Sequence, residues 1–292
     1  MLATPLTVGH IEVLALLDGV GDLTGPMADS FPDVPREALE SFRDRAPGVY
    51  GGAGAWRLHV RAWLVRHPGG VALVDTGLGA RGAPGPEWFG APGQLLDALR
   101  ETGTPPDAID TVVLSHVHDD HLGGTVIFPD GDDIEPVPAF PRATYLLQRA
   151  DREWQSEQAR ADEEDRVIDM LLLRPLERAG QLTLLDGDHV IADGIEVHLA
   201  PGHTPGHQIV RLRSRGARAI ITADTFNHPI QIPHPDWPSG TDVIPPQAAA
   251  TRRAVLAELL SHPATTLSPT HFAQAYGRVG AGNDGLATWL PI

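Results

Sequence analysis

The sequence predicts an α/β fold in which two β-sheets pack face to face with helices on their outer faces. Three observations point there. Short β-rich runs ended by Gly, Pro or Asp open each half of the chain, helical segments follow them in each half, and neither a short-period repeat nor a clear linker interrupts the 292 residues. A chain of this length falls within the range of one elaborated domain, and it can bury roughly three quarters of the surface it exposes when unfolded. The expectation is therefore a single domain over residues 1–292, with an N-terminal extension at about 1–55 and a helical insertion at about 149–178.

The elements follow from local pattern. IEVLALLDG, WRLHVRAWLVRHPGG and VALVDTGLG read as strands of a first sheet. GARGAPGPEWFGAPG, between Gly79 and Gly93, is rich in Gly and Pro and reads as a loop presenting Trp88 and Phe89. QLLDALRETG sets Leu95, Leu96 and Leu99 at helical spacing and stops at Gly103. TVVLS reads as a buried strand running into a polar loop, FPDGDDIEPVPAFP as an acidic Pro-rich loop, and ATYLLQ as a strand. From Arg149 to Arg178 the residues favour helix, with Trp154, Val167, Ile168, Leu171 and Leu172 as the apolar positions. QLTLLDGDHVI, GIEVHLAPGH, HQIVRLRS and ARAIITADTF continue as strands, followed by a helix over Gln247 to Ser261 and a last strand TTLSPTH.

Composition narrows the function classes. With 38 acids against 22 bases the formal charge is −16, which repels phosphate backbones and anionic membranes, so neither nucleic acid nor membrane is an expected partner. The absence of cysteine excludes disulfides, thiolate metal sites and a cysteine nucleophile. The N-terminal MLATPLTVGHIEVLALLDG lacks a basic start, and Glu12 and Asp18 break its apolar run, so it does not read as a signal peptide. A soluble cytoplasmic protein is expected. The 14 histidines invite a search for a metal site.

HVHDDH places His116, His118, Asp120 and His121 within six residues directly after the buried strand. Alternate residues of an extended segment face the same side, so His116 and His118 can reach one ion together, while Asp120 and His121 follow at the turn, where they can be aimed at a second. Imidazole nitrogen and carboxylate oxygen suit Zn²⁺ and other borderline divalent metals. Three further donors stand at strand ends: His203 in PGHTPGH, Asp224 in ITADTF and His271 in LSPTH.

This order and spacing of HVHDDH, His203, Asp224 and His271, together with VDTG around Asp75, resembles the metallo-β-lactamase superfamily over roughly Asp75 to His271. The resemblance implies an αββα sandwich with the site along one edge of the two sheets. It implies one ion held by His116, His118 and His203 and another by Asp120, His121 and His271, with Asp224 bridging both and Asp75 supporting the site without ligating. The implied cofactors are two divalent ions per chain, zinc first, with manganese, iron or cobalt accepted by the same donors. A bridging carboxylate at Asp224 points away from antibiotic cleavage and toward the lactonase, glyoxalase II and phosphotriesterase branches. ADTFNHPIQIPHPDW with THF is similar to the branch containing methyl parathion hydrolase and related lactonases.

The remaining histidines and aromatics are weighed against packing. His207 reads as supporting or structural, because the implied ions already have their ligands. His10, His59, His67, His189, His198 and His262 read as ordinary surface or core residues, and Asp119 as solvated or supporting. Trp88, Phe89, Phe226, His228, Trp237 and Phe272 are the candidates for a substrate pocket, with core packing as the competing account.

Two ions close together lower the pKa of a shared water, so a hydroxide is available without a side-chain nucleophile, and Asp120 and Asp224 are the expected catalytic carboxylates, Asp120 as proton shuttle by family resemblance. The expected reaction is hydrolysis of a small, neutral or apolar ester: a lactone of the acyl homoserine type or a carboxylic ester. A phosphotriester is the alternative, and β-lactam cleavage and a diiron redox role rank below it. Glyoxalase II activity is disfavoured, since little sequence follows His271 to make its glutathione-binding region. A homodimer is expected to use the N-terminal extension and the helical insertion.

Overall fold

The structure, a computed structural model, describes residues 2–129, 135–282 and 285–292. Part of the expected acidic Pro-rich loop, residues 130–134, lies outside the described residues. The chain forms two compact units: Met1–Gly19 with Val60–His189, and Val20–His59 with Val190–Ile292. Among the described residues, no helix is long and apolar enough to cross a membrane.

A seven-stranded mixed sheet organises the first unit. Its strands β1 (Ala3–Val8), β2 (Ile11–Asp22), β3 (Arg57–His67), β4 (Gly70–Val74) and β5 (Thr111–Val113) lie side by side in that order. A small ribbon of β6 (Val126–Ile127) and β7 (Val137–Pro138) intervenes in the chain before β8 (Thr144–Gln148) and β9 (Leu182–Leu185) complete the sheet. β1–β2 and β3–β4 pair antiparallel, whereas β4, β5, β8 and β9 run parallel. Parallel strands are covered on both faces and so read as continuous apolar runs. VVL in and after β5 and YLL in β8 fit that rule, and Val112, Leu114, Tyr145 and Leu147 join Leu14, Leu16, Leu64 and Leu73 in one buried core.

The second unit carries the other seven-stranded sheet, β10 (His189–Ala192), β11 (Ile195–Leu199), β12 (Gln208–Ser214), β13 (Ala217–Ala223), β14 (Thr266–Pro269), β15 (Gly277–Ala281) and β16 (Ala287–Pro291), in chain order. β13 and β14 pair parallel, and the helix Pro245–Ser261 makes the crossover between them. Two prolines occupy the first turn of that helix, where their missing N–H groups cost nothing. Ala248, Arg252, Val255, Leu256 and Leu259 form its buried stripe at helical spacing.

β1 and β2 lie within residues 1–55, the span expected as an N-terminal extension, and β2 contains the expected strand IEVLALLDG. Three expectations change. Trp88 and Phe89 lie on a short helix, Gly85–Phe89, rather than in a loop, since Pro86 supplies a helical φ at its start and Gly90 closes it in the left-handed region. QLTLLDGDHVI splits at its Asp-Gly turn into β9 and β10, which belong to different sheets. Two strands, β15 and β16, follow TTLSPTH; their alternation is weak because glycine and alanine occupy several positions. The segment 149–178 is helical as expected and comprises Arg149–Ala161, Glu163–Ile168, one π-turn at Asp169–Leu173 and Arg174–Arg178, with buried Asp169 paired to Arg152 at 3.0 Å and Arg174 at 2.8 Å.

Asp18 in β2 pins the loop that follows β4. Its carboxyl accepts the backbone N–H of Leu78 at 2.7 Å and of Leu95 at 2.6 Å. Burial nevertheless pushes this carboxyl from its usual 3.8 up to about 6, against the pull of those hydrogen bonds. Between those two values the folded chain holds a proton that the unfolded chain has lost, so stability falls as pH rises through this window and levels off above it. A shift of about 2 units corresponds to about 3 kcal/mol. Urea unfolding of metal-free protein from pH 4 to 7 should therefore show a downward slope that Asp18→Asn reduces by about 3 kcal/mol over the range; parallel slopes in the two proteins would show that Asp18 does not titrate there.

Candidate metal centre

The first unit gathers four of the expected donors. After β5, Leu114 and Ser115 carry the chain into His116; His118 is still extended, and a helical turn over Asp119–Leu122 then presents Asp120 and His121. Gly123 and Gly124 follow because backbone is pressed against backbone there. A Cβ on Gly123 would lie 2.0 Å from the Leu78 carbonyl oxygen, and one on Gly124 2.3 Å from that of Thr76. This close approach brings the VDTG loop against the HVHDDH turn, where the Thr76 N–H and hydroxyl both donate to the His121 carbonyl at 2.8 and 2.9 Å.

Asp75 sits within this contact at φ 60°, a left-handed conformation that a non-glycine residue adopts at a cost and that clusters at functional sites. Its carboxylate accepts Ser115 N–H at 2.7 Å, Ser115 Oγ–H at 2.8 Å and His121 Nδ1–H at 2.8 Å. Because the Ser115 hydroxyl spends its proton on Asp75, it is left to accept from His116 Nδ1 at 2.9 Å. His116 and His121 therefore carry their protons on Nδ1. His116 Nε2 in turn faces His118 Nδ1 at 3.0 Å. Two nitrogens bound at about 2.0–2.1 Å to one tetrahedral ion lie a little over about 3 Å apart, so this spacing fits a shared cation.

The second unit gathers the other three. His203 follows β11, and its Nδ1 donates to Asp242 Oδ1 at 3.1 Å. A register shift in β13 between Ile221 and Ala223, with Ala223 at φ 41°, turns the strand end so that Asp224 leaves the sheet. His271 follows β14, and its Nδ1 donates to the His59 carbonyl at 2.8 Å. Asp224 Oδ2 then lies 3.5 Å from His203 Nε2 and 2.9 Å from His271 Nε2. With both Nδ1 protons assigned, these are lone pairs facing a carboxylate oxygen, and a divalent cation is the chemical group that such a donor set accommodates.

His207 is fully engaged without a metal. Its Nδ1 donates to the Ala200 carbonyl at 3.2 Å and its Nε2 accepts the Asp224 N–H at 3.2 Å, so it holds the backbone of Asp224. Asn227 steadies the same residue through Nδ2–H to Asp224 Oδ2 at 2.8 Å. Asp119 accepts the Trp88 indole N–H at 2.6 Å, and burial, followed by the charge of Asp120, pushes its carboxyl up to about 6.

The aromatic candidates separate. Trp88 is 39% exposed and packs edge-on against Phe89 at 5.8 Å. Trp237 is half-buried and stacks on His234 at 4.0 Å. Phe226 and Phe272, expected at a pocket wall, are wholly buried in the apolar core of the second unit, where their size is used in packing. His228 is also wholly buried, ringed by Phe31, Phe42 and Tyr50, and this burial pushes its imidazole down to about 3, so it stays neutral.

Sequence reading missed Ser115, His59, Asp242, Arg252 and Asn227. Ser115 had a signal in standing next to His116, and Arg252 had one as a charge on the apolar stripe of its helix. Asp242 and the His59 carbonyl had none, since only folding brings them to His203 and His271.

These paired donor clusters on two mixed sheets correspond to a known family. The sequence profile of the metallo-beta-lactamase superfamily matches residues 55–271, and the chain belongs to that superfamily. An N-acyl homoserine lactonase of Bacillus cereus is 25% identical over 181 residues, covering 57% of this chain and 64% of that protein. The N-acyl homoserine lactonase AttM of Azorhizobium caulinodans is 28% identical over 203 residues, covering 61% and 70%. The chain thus spans just under two thirds of the length of the Bacillus relative. Two solved structures each align with a TM-score of 0.81 over 99% of this chain and 97% of the other: AidC, a dizinc quorum-quenching lactonase in complex with a product, at 22% identity, and the hydrolase AbOPH in the beta lactamase superfamily, at 21%. At that identity they establish the α/β metallo-β-lactamase fold.

Asp75→Asn tests the support given to His121. The amide can replace only part of a carboxylate that accepts three hydrogen bonds, so metal affinity measured by chelator competition should fall about 10- to 100-fold. An unchanged affinity would remove Asp75 from the support of the site.

Proposed function

We propose that this chain is a dinuclear metal-dependent hydrolase that opens a lactone or a carboxylic ester, with acyl homoserine lactones as the substrate class. In this reading His116, His118 and His203 hold one ion, Asp120, His121 and His271 hold the other, and Asp224 serves both. One observation carries it: His116, His121, His203 and His271 each have Nδ1 tied to an oxygen acceptor within their own unit, which leaves Nε2 as a lone-pair donor. Nitrogen and carboxylate donors without thiolate suit zinc, and they also accept manganese, iron or cobalt. The N-acyl homoserine lactonases among the relatives support the substrate class.

Bound divalent ions supply Lewis-acid activation of water and of the scissile carbonyl. The chain's own part is to hold charge and protons in place. Asp224 is kept oriented through its backbone by His207 and through its carboxylate by Asn227. Asp120, on the turn after His118 and with Oδ2 3.7 Å from His121 Nε2, is the carboxylate assigned to carry a proton to the alkoxide oxygen released when the ring opens. Water adds across the acyl C–O bond, giving a hydroxy acid. The formal charge of −16 disfavours polyanionic substrates and leaves neutral esters acceptable.

Zinc-supplemented protein should contain about two ions per chain by elemental analysis. Assayed side by side with N-hexanoyl and longer acyl homoserine lactones, an aryl ester, a paraoxon-type phosphotriester and nitrocefin, it should give its highest kcat/KM on a lactone, and Asp224→Ala should lower metal content and turnover together. A preference for the phosphotriester would replace the lactone reading by the phosphotriesterase one, and cleavage of nitrocefin alone would overturn both.

A further inference from the structure

The helix Pro245–Ser261 presents one charge to the interior. Arg252 occupies the stripe otherwise made by Ala248, Val255, Leu256 and Leu259, and it is 0% exposed. An apolar residue would complete that stripe, and buried ion pairs are often replaced by well-packed apolar side chains without loss of stability. The guanidinium is not even fully satisfied: Nε donates to the Pro235 carbonyl at 2.7 Å and Nη1 to Asp242 Oδ2 at 3.0 Å, while Nη2 is buried without a hydrogen-bond partner among the described residues. Stability alone is a poor account of this arginine.

Its effect on Asp242 is specific. Oδ2 of Asp242 is taken by two donors, Arg252 Nη1 and the Ser239 N–H at 3.1 Å, which turns Oδ1 toward His203 Nδ1 at 3.1 Å. The backbone joins the same segments independently, through Val243 N–H to the His203 carbonyl and Ile244 N–H to the Gly202 carbonyl, both at 2.9 Å. The side chains are therefore not needed to dock the loop carrying Asp242. What they add is the identity of the group that faces the imidazole, an acceptor with no proton to give.

We propose that Arg252 and Asp242 are positioning residues for His203, which together lock its proton on Nδ1 and keep its Nε2 lone pair available to a divalent cation. This rests on the reading of His203 as a metal ligand. An acceptor at Nδ1 selects the tautomer, and the buried guanidinium holds that acceptor in orientation through Oδ2.

Asp242→Asn separates this role from a structural one. In the variant the two donors at Oδ2 still demand an acceptor, so the amide oxygen turns to them and the amide NH₂ faces His203. Nδ1 must then accept, and the proton moves to Nε2. Nitrogen-15 NMR of metal-free protein labelled at histidine should show His203 protonated at Nδ1 in the wild type and at Nε2 in Asp242→Asn. Chelator competition with zinc should show one of two ions weakened about 10- to 100-fold, with the other unchanged. Arg252→Lys, which keeps the charge but loses the fork, should weaken the same ion by less. An unchanged tautomer, or an unchanged affinity for both ions, would overturn the relay. Should Asp242→Asn fail to fold by circular dichroism, Arg252→Lys decides: wild-type affinity for both ions refutes the proposal. A wild-type protein that binds no zinc would defeat the ligand assignment itself, whereas the tautomer in metal-free protein tests the relay alone.

Discussion

A buried imidazole has two nitrogens and, when neutral, one proton, so fixing where that proton goes decides what the ring can do. In both donor clusters the proton is held on Nδ1 by an oxygen: Ser115 Oγ for His116, Asp75 for His121, Asp242 for His203 and the His59 carbonyl for His271. Everything else about the candidate centre depends on this division of labour. It leaves Nε2 as a lone pair at each ring, and lone pairs that converge on one another or on a carboxylate call for a cation. His207 illustrates the contrast, because its second nitrogen is spent on the Asp224 backbone and the ring becomes a support.

Holding these anchors requires backbone geometry that ordinary strands do not supply. Asp75 and Ala223 adopt left-handed conformations, and Gly123 and Gly124 lie so close to the loop after β4 that no side chain fits. Asp18 closes the same loop from below at the expense of a buried carboxyl, whose ionisation burial opposes. Strain and desolvation gathered near a set of donors are what a fold tolerates when the donors have a use. Arg252 belongs with them, as a charge where its helix has room for an apolar residue.

The proposed hydrolysis needs only these parts. Cysteine is absent, and the Ser115 hydroxyl among the anchoring groups is committed to Asp75 and His116. A site built from nitrogen and carboxylate donors delegates the reactive oxygen to water, and the chain contributes orientation, charge and a route for the proton. The N-acyl homoserine lactonases among the relatives are the basis of the substrate class proposed above.

The sequence by itself determined the α/β class, most strand and helix positions, and the seven candidate donors, because these are written in local patterns: apolar runs, glycine and proline punctuation, and the spacing of HVHDDH with donor-type residues at later strand ends. It placed β9 and β10 in one segment and overlooked β15 and β16, since a three-residue connection and small side chains carry little periodicity. Only the tertiary structure decided that Phe226, Phe272 and His228 are packed away, and that Asp242, itself held by Arg252, and the His59 carbonyl face Nδ1 of His203 and His271. A ligand is recognisable by its chemistry and spacing along the chain. The group that holds its far nitrogen can stand 39 or 212 residues away, and its identity there is a matter of what the fold brings within 3 Å.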